Sequence, residues 1–415
     1  MTTKLYRNAR IYTPVMGGSS ARRGTEQGEI TVWLSGSILV SGGRIKSVGE
    51  EASVSKNLSP ADVDMEIDLG GAAVVPGFVD PHTHACFAAL REGEFSMRLA
   101  GRSYLDILKA GGGILSSVRK VRGTSEDELY AFSKKVLSST LSYGTTTIEI
   151  KSGYGLDTEA ELKMLRAIAR VGRETPQSVV PTFMGAHAVP EEYKTKPDDY
   201  AALMCTEMLP AIARSGLAKF CDIFCEDGVF DVAQSRRILS RAKELGFRLK
   251  IHADEVNDLG GAALAGELGA VSAEHLLAAS DAGIDAMANA GVVADLLPAT
   301  AYSLKKPFAR ARKMIERGVP VALATDLNPG SCFCQSMPFV ISLAIMGMNM
   351  TPEEALTGAT LNAAWSIGME KEVGSLEAGK LADFVVLDGE TPAVLAYASG
   401  VRPILSVWKR GERVA

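Results

Sequence analysis

The sequence predicts an α/β fold: a (β/α)8, TIM-like barrel carrying a small β-sandwich module built from both termini. Three observations lead there. The middle of the chain alternates short apolar runs with amphipathic stretches, giving about seven or eight strand–helix units. The apolar runs are continuous rather than alternating, as burial on both faces of a parallel sheet requires. Both ends are β-rich and broken by glycine, which predicts that they pair into one composite module. The expected boundaries are 1–73 and 373–415 for the module and 74–372 for the barrel, room enough for the roughly 250 residues a closed barrel needs.

In chain order, KLYRNARIYT, ITVWLSGSILVSGGRIKSVG and VDMEIDLGG read as strands of the N-terminal part. VVPGFVD counts as the first barrel strand. TTTIEIKSG precedes a helix whose Leu162, Leu165, Ile168 and Ala169 share a face. VVPTFMGA precedes YAALMCTEMLPAIARSG, and KFCDIFCEDG precedes a helix with Ile238, Leu239, Ala242 and Leu245 on one stripe. RLKIHADE precedes LGGAALAGELG, followed by AVSAEHL, GVVADLLP and PVALATDLNPG. ADFVVLDG and RPILSVWKRGERV return to the β-rich texture. A doubly wound open sheet is the weaker alternative, because polar residues follow almost every strand here and an open sheet gathers them at one switch point.

Composition narrows the function. An apolar fraction of 47% and a charged fraction of 22% suit a globular protein, and a net charge of −5 gives no reason to expect nucleic acid or an acidic membrane as partner. No apolar run approaches the roughly 18 residues of a membrane helix. The start, MTTKLYRNARIYTP, lacks the apolar centre of a signal peptide. The six cysteines show neither zinc-ribbon spacing nor a disulfide framework. The expected compartment is the cytoplasm.

All five histidines follow apolar runs: His82 and His84 in PGFVDPHTH, His187 in VVPTFMGAH, His252 in RLKIHADE and His275 in AVSAEHL. Strand ends are where barrels place their chemistry, so the five mark one site. His82 and His84, two apart, point to one side of a strand. With His252 and Asp326 they make three imidazoles and a carboxylate, a set that suits Zn2+ or iron with one position open to water. Glu255 is placed to carry a proton, or else is a carboxylate at a helix start. His275 is placed to polarise a carbonyl, or else is a capping or core histidine. Arg91 in AALREGEF offers a fork for a carboxylate. Tyr154 and His187 line the same mouth, and Asn328, Gly330 and Ser331 form a turn beside Asp326 that presents donors to substrate or is plain turn chemistry.

PGFVDPHTH, IHADE, AEHL, ATDLNPGS and GSLEAGKLADFVVLD resemble the amidohydrolase superfamily of metal-dependent hydrolases over nearly the whole chain. REGEF, GGGILSSVR, IEIKSGYGLD and FMGAHAVP are similar to the branch that opens an imidazolone ring in histidine degradation. The resemblance implies hydrolysis of the cyclic amide C–N bond of 4-imidazolone-5-propanoate to N-formimidoyl-L-glutamate. It implies His82, His84, His252 and Asp326 as ligands of one Zn2+ or Fe2+/Fe3+ per subunit, and Glu255, His275 and Asp326 as catalytic. It implies Arg91, Tyr154, His187, Glu255, Asn328, Gly330 and Ser331 as substrate contacts, and a homodimer. Lys151 is expected to be structural, since this branch is a single-metal one. Gly93 and Ala299 stand where the branch commonly has histidine and glycine. Two rivals differ in kind: a deaminase of the same superfamily, which needs no carboxylate clamp, and a scaffold without catalysis, which needs no ligands.

Overall fold

The computed structural model describes residues 2–15, 18–56, 58–102, 106 and 111–415. Eight strands form the barrel: β6 (Phe78–Asp80), β7 (Thr145–Lys151), β8 (Ser178–Ala186), β9 (Phe220–Cys225), β10 (Arg248–Ala253), β11 (Ser272–His275), β12 (Val293–Leu296) and β13 (Val321–Leu323). They pair in sequence order from β6 to β13, every neighbour parallel. Beyond the ends of β6 and β13 the ring is drawn together by a parallel bridge between Thr83 and Leu327. Two backbone hydrogen bonds reinforce it, His84 N to Leu327 O at 2.9 Å and Asp326 N to His82 O at 3.2 Å. The first and last strands thus meet where the sequence carries its HxH pair and its lone aspartate.

Helices cover the outside and bury part of each predicted face, with Leu162, Ala169 and Leu245 only half-buried. In the helix Thr158–Glu174, Met164, Leu165, Ile168 and Val171 are buried, and its N-terminus is capped by Asp157, whose side chain accepts from Ala160 N. In the helix Val232–Glu244, Ile238, Leu239 and Ala242 are buried, and Asp231 and Gln234 form a capping box. Among the described residues no helix is long and apolar enough to cross a membrane.

A second sheet joins the two ends of the chain. It holds β1 (Thr3–Pro14), β2 (Ile30–Ser41), β3 (Arg44–Glu50), β4 (Met65–Asp68) and β5 (Ala73–Pro76) from the start. From the end it takes β14 (Phe384–Leu387), β15 (Ile404–Lys409) and β16 (Glu412–Arg413). The order is β16-β15-β14-β5-β1-β2-β3, with β4 paired to β1. Tyr6, Phe384 and Trp408 make its aromatic core, with ring centroids 5.0 to 5.6 Å apart. VVPGFVD, a single strand by its pattern, is divided between the two bodies. Val74, Val75 and Pro76 pair antiparallel with β14, whereas Phe78–Asp80 pair with β7. The break falls at Gly77, where a Cβ would lie 2.3 Å from Thr146 Oγ1, so the chain passes through a gap that no larger residue fits.

The barrel interior is not purely apolar. Asp80, Glu149, Lys151, Asp222, Lys250, Glu274 and Asp295 are all fully buried. Lys151 Nζ stands 2.8 Å from both Glu149 Oε1 and Asp222 Oδ2. Lys250 Nζ reaches Asp295 Oδ2 at 3.1 Å, Glu274 Oε1 at 3.2 Å and Ser272 Oγ at 2.7 Å. Burial works against the charged form of Lys151, but Asp222 and Glu149 outweigh it and hold the pKa above the usual lysine value. Removing one member of such a network strands the others without water. Lys151→Met, which keeps the volume and deletes the charge, is therefore expected to lower unfolding stability by about 3–5 kcal/mol, read from the shift in a chemical denaturation midpoint.

Candidate active site

His82 and His84 lie on the extension of β6, His252 within β10, His275 at the end of β11, and Asp326 just past β13. All five are buried. His82, His84 and Asp326 offer ligand atoms within 4.8 Å of one another, and so do His82, His252 and His275. Asp326 Oδ1 is 3.6 Å from His82 Nε2 and 3.7 Å from His84 Nε2, while His84 Nε2 and His252 Nε2 face each other at 3.4 Å. The predicted ligand set is thus gathered in one place, with His275 beside it.

This geometry has the chemistry of a cation site. His82 Nδ1 and Nε2 and His84 Nδ1 are buried without a hydrogen-bond partner, a costly arrangement unless something else satisfies the nitrogens. Burial first, then the neighbouring basic groups, pushes the pKa of His82, His84 and His252 well below the usual histidine value. The rings are therefore neutral and carry lone pairs. His252 Nδ1 donates to Asp222 at 3.1 Å, which fixes its tautomer and leaves the Nε2 lone pair free for a cation. Asp326 is steadied by a 2.6 Å hydrogen bond from Thr300 Oγ1 to Oδ2, leaving Oδ1 toward the imidazoles. His275 and Asp326 have left-handed backbones, φ 69° and 51°. Non-glycine residues hold such angles at a cost of order 1–3 kcal/mol, and they concentrate at working sites.

Glu255 Oε1 lies 3.7 Å from His275 Nδ1. Its pKa is pushed up to about 7, by burial and then by the charge of Glu226, so near neutrality it exchanges protons readily. The loop carrying it is held by Glu226, whose carboxylate accepts from Val256 N at 2.9 Å and Asn257 Nδ2 at 3.1 Å.

Three further predicted residues ring the histidines. The His187 ring stacks on His84 with centroids 4.6 Å apart, and His187 Nδ1 donates to Gly153 O at 3.1 Å, turning Nε2 outward as an acceptor. Tyr154 is buried, 5.2 Å ring to ring from His187 and 5.9 Å from His84. The Glu161 carboxylate shapes its loop by accepting from the backbone N–H of Gly153, Gly155 and Leu156. Arg91 precedes the helix Glu92–Leu99 and is tied to the turn after Asp326 through Arg91 N to Pro329 O, 3.1 Å. The Nε–Nη2 edge of its fork is already occupied by Glu94, at 3.0 and 2.9 Å. The Asn328 side chain is committed to its own turn. Its Oδ1 accepts from Gly330 N at 2.9 Å and Ser331 N at 2.8 Å, and its Nδ2 donates to Asp326 O at 2.7 Å.

Asp222, Thr300, Glu161, Glu226 and Glu94 support the site without having been singled out in the sequence. Asp222 did leave a signal: a lone carboxylate inside the buried strand FCDIFC needs a partner. Lys151, expected to be structural, is enclosed by Glu149 and Asp222.

Comparison with known proteins agrees with this geometry. The amidohydrolase family pattern matches residues 73–414. The imidazolonepropionase of Syntrophobacter fumaroxidans is 57% identical over 412 residues, covering 99% of this chain and 97% of that protein. The imidazolonepropionase of Desulfotalea psychrophila is also 57% identical, over the full length of both. That of Symbiobacterium thermophilum is 52% identical over 95% of this chain and 93% of its own. Among solved structures, E. coli guanine deaminase superposes with a TM-score of 0.71 at 17% identity, covering 100% and 99% of the two chains. The 5-methylcytosine deaminase of Klebsiella pneumoniae does so at 0.72 and 16%, covering 99% and 98%. At those identities the likeness is one of fold.

The Asp222–His252 hydrogen bond makes a separate test of the cation site. Asp222→Asn is expected to weaken divalent-metal affinity by about 10–100-fold, measured by competition with a chromogenic chelator. An unchanged affinity would show that His252 needs no such partner.

Proposed function

This chain belongs to the amidohydrolase family, among the imidazolonepropionases, and on that premise we propose that it hydrolyses the cyclic amide C–N bond of 4-imidazolone-5-propanoate, giving N-formimidoyl-L-glutamate in histidine degradation. The observation that carries the reading is the convergence, at one barrel mouth, of a three-histidine, one-aspartate set with the REGEF arginine and the KSGYG tyrosine. A deaminase needs no carboxylate clamp, and a scaffold needs none of the four metal-binding side chains.

In this reading His82, His84, His252 and Asp326 hold one zinc or iron ion. When bound, the ion supplies a Lewis acid and makes water acidic enough to attack a carbonyl near neutral pH. Arg91 takes the propionate carboxylate, so that binding energy remote from the reaction orients the ring. Tyr154 and His187 border the ring, and the turn of Asn328, Gly330 and Ser331 closes the side next to Arg91. Glu255 as carboxylate accepts a proton from the attacking water and returns it to the ring nitrogen that leaves. Asp326 shares the proton handling, and neutral His275 steadies the carbonyl oxygen as its bond changes. The balance is one water consumed: its oxygen ends in the new carboxylate, one proton on the released nitrogen, and the second on the basic amidine or in solvent as the new acid ionises. The cytoplasm and a homodimer complete the proposal.

Freshly generated imidazolone propionate, followed by its ultraviolet absorbance, tests the whole. Loss of absorbance should be fast with the metal-loaded protein and abolished by chelator; no metal-dependent loss would refute the assignment. The pH dependence follows from Glu255. A base with a pKa near 7 is idle when protonated, so kcat/KM should rise with pH through about 7. Glu255→Gln should cost about 10²–10⁴-fold in kcat and remove that limb of the profile.

A further inference from the structure

We infer that Glu94 is a positioning residue for substrate selection: it sets which edge of Arg91 meets the substrate's carboxylate. The inference rests on the proposed reading of Arg91 and deepens it. A guanidinium has two edges able to grip a carboxylate with parallel N–H bonds, Nε with one terminal nitrogen, or both terminal nitrogens. Glu94 fills the first. Its Oε1 accepts from Arg91 Nε at 3.0 Å and its Oε2 from Nη2 at 2.9 Å. The same Oε1 also accepts from Gly113 N at 3.0 Å, so the carboxylate is anchored independently of Arg91 by the glycine run that opens the helix Ile114–Gly123. The Arg91 and Glu94 side chains are only 16% and 15% exposed, and they stand one turn apart at the start of one helix. Glu94 is therefore part of the wall and does not vacate its place for a ligand.

The flat face of the guanidinium is fixed as well. A Cβ on Gly330 would fall 2.6 Å from Arg91 Cζ, so the group lies directly against the Gly330 backbone. Gly330 is itself pinned by Arg98 Nη2 donating to its carbonyl at 3.2 Å. What remains is the Nη1–Nη2 edge, met among the described residues by Ser117 Oγ at a long 3.4 Å from Nη1. A substrate carboxylate thus binds end-on through the two terminal nitrogens. Because Glu94 already balances the arginine's charge, selection rests on the paired geometry more than on net positive charge.

Calorimetric binding to the metal-loaded protein tests this with two probes that share an imidazole and differ in the tail, 3-(imidazol-4-yl)propionate and 4-propylimidazole. Wild type should prefer the propionate. Glu94→Gln loses one arm of the fork and lets the guanidinium turn, so the propionate should weaken by about tenfold or more while 4-propylimidazole is unchanged. In an Arg91→Ala background the Glu94→Gln effect should vanish, which separates action through Arg91 from a general loosening of the loop. Wild-type discrimination that persists in Glu94→Gln, equal weakening of both probes, or an effect that survives without Arg91 would overturn the inference and leave the proposed reaction standing. A wild type that does not prefer the propionate would overturn both.

Discussion

The site depends on a lysine ammonium held in the barrel with no access to water. Lys151 sits between Glu149 and Asp222 at 2.8 Å from each, and Asp222 in turn takes the Nδ1 proton of His252. An isolated buried charge is intolerable, and a paired one is tolerated only when the geometry is good and every lone pair is used. The requirement propagates outward. Glu149 accepts from Thr83 N at 3.2 Å, between the two histidines of the HxH pair, and Thr83 Oγ1 bonds Glu149 O at 2.6 Å. Glu274 accepts from Ile251 N, next to His252. Asp80 accepts from the backbone and hydroxyl of Thr325, next to Asp326. The strand ends that carry His82, His84, His252 and Asp326 are thus each fastened to a buried carboxylate one residue away, and the imidazoles inherit their positions from the polar layer beneath them.

Much of this was legible in the chain. The strand–helix alternation, the β-rich ends and the placement of every histidine at a strand end follow from periodicities that burial on a barrel imposes. Arg91, Tyr154 and Glu255 could be named because loops after barrel strands carry function. Cross-strand pairing was not legible. Asp222 and His252 lie thirty positions apart, and only the parallel register of β9 and β10 turns both toward the same interior. Glu94 carries no signal of its own in the sequence, since nothing in REGEF distinguishes it from Glu92. The division of VVPGFVD was hidden for a different reason: an unbroken apolar run does not say which of two sheets each half joins.

Strain and anchorage alternate around the mouth. Left-handed backbones at His275 and Asp326 would relax if free, yet each is bracketed by ladder or closure hydrogen bonds, Asp326 N to His82 O and Leu276 N to Ala253 O. The barrel supplies the stiffness that local sequence lacks, which is why these angles survive at residues with side chains.

The sheet that unites the two ends of the chain has a temporal meaning. β5 waits for β14, yet the ribosome delivers β14 only after the whole barrel has been made, at about 5–20 residues per second. Until then β5 presents an unpaired edge, the kind of surface that recruits other chains. The strand leading into His82 is the continuation of that edge. Birth order therefore makes the terminal module the last part of the molecule to close, and it exposes the entrance to the catalytic strands to misassembly for longest.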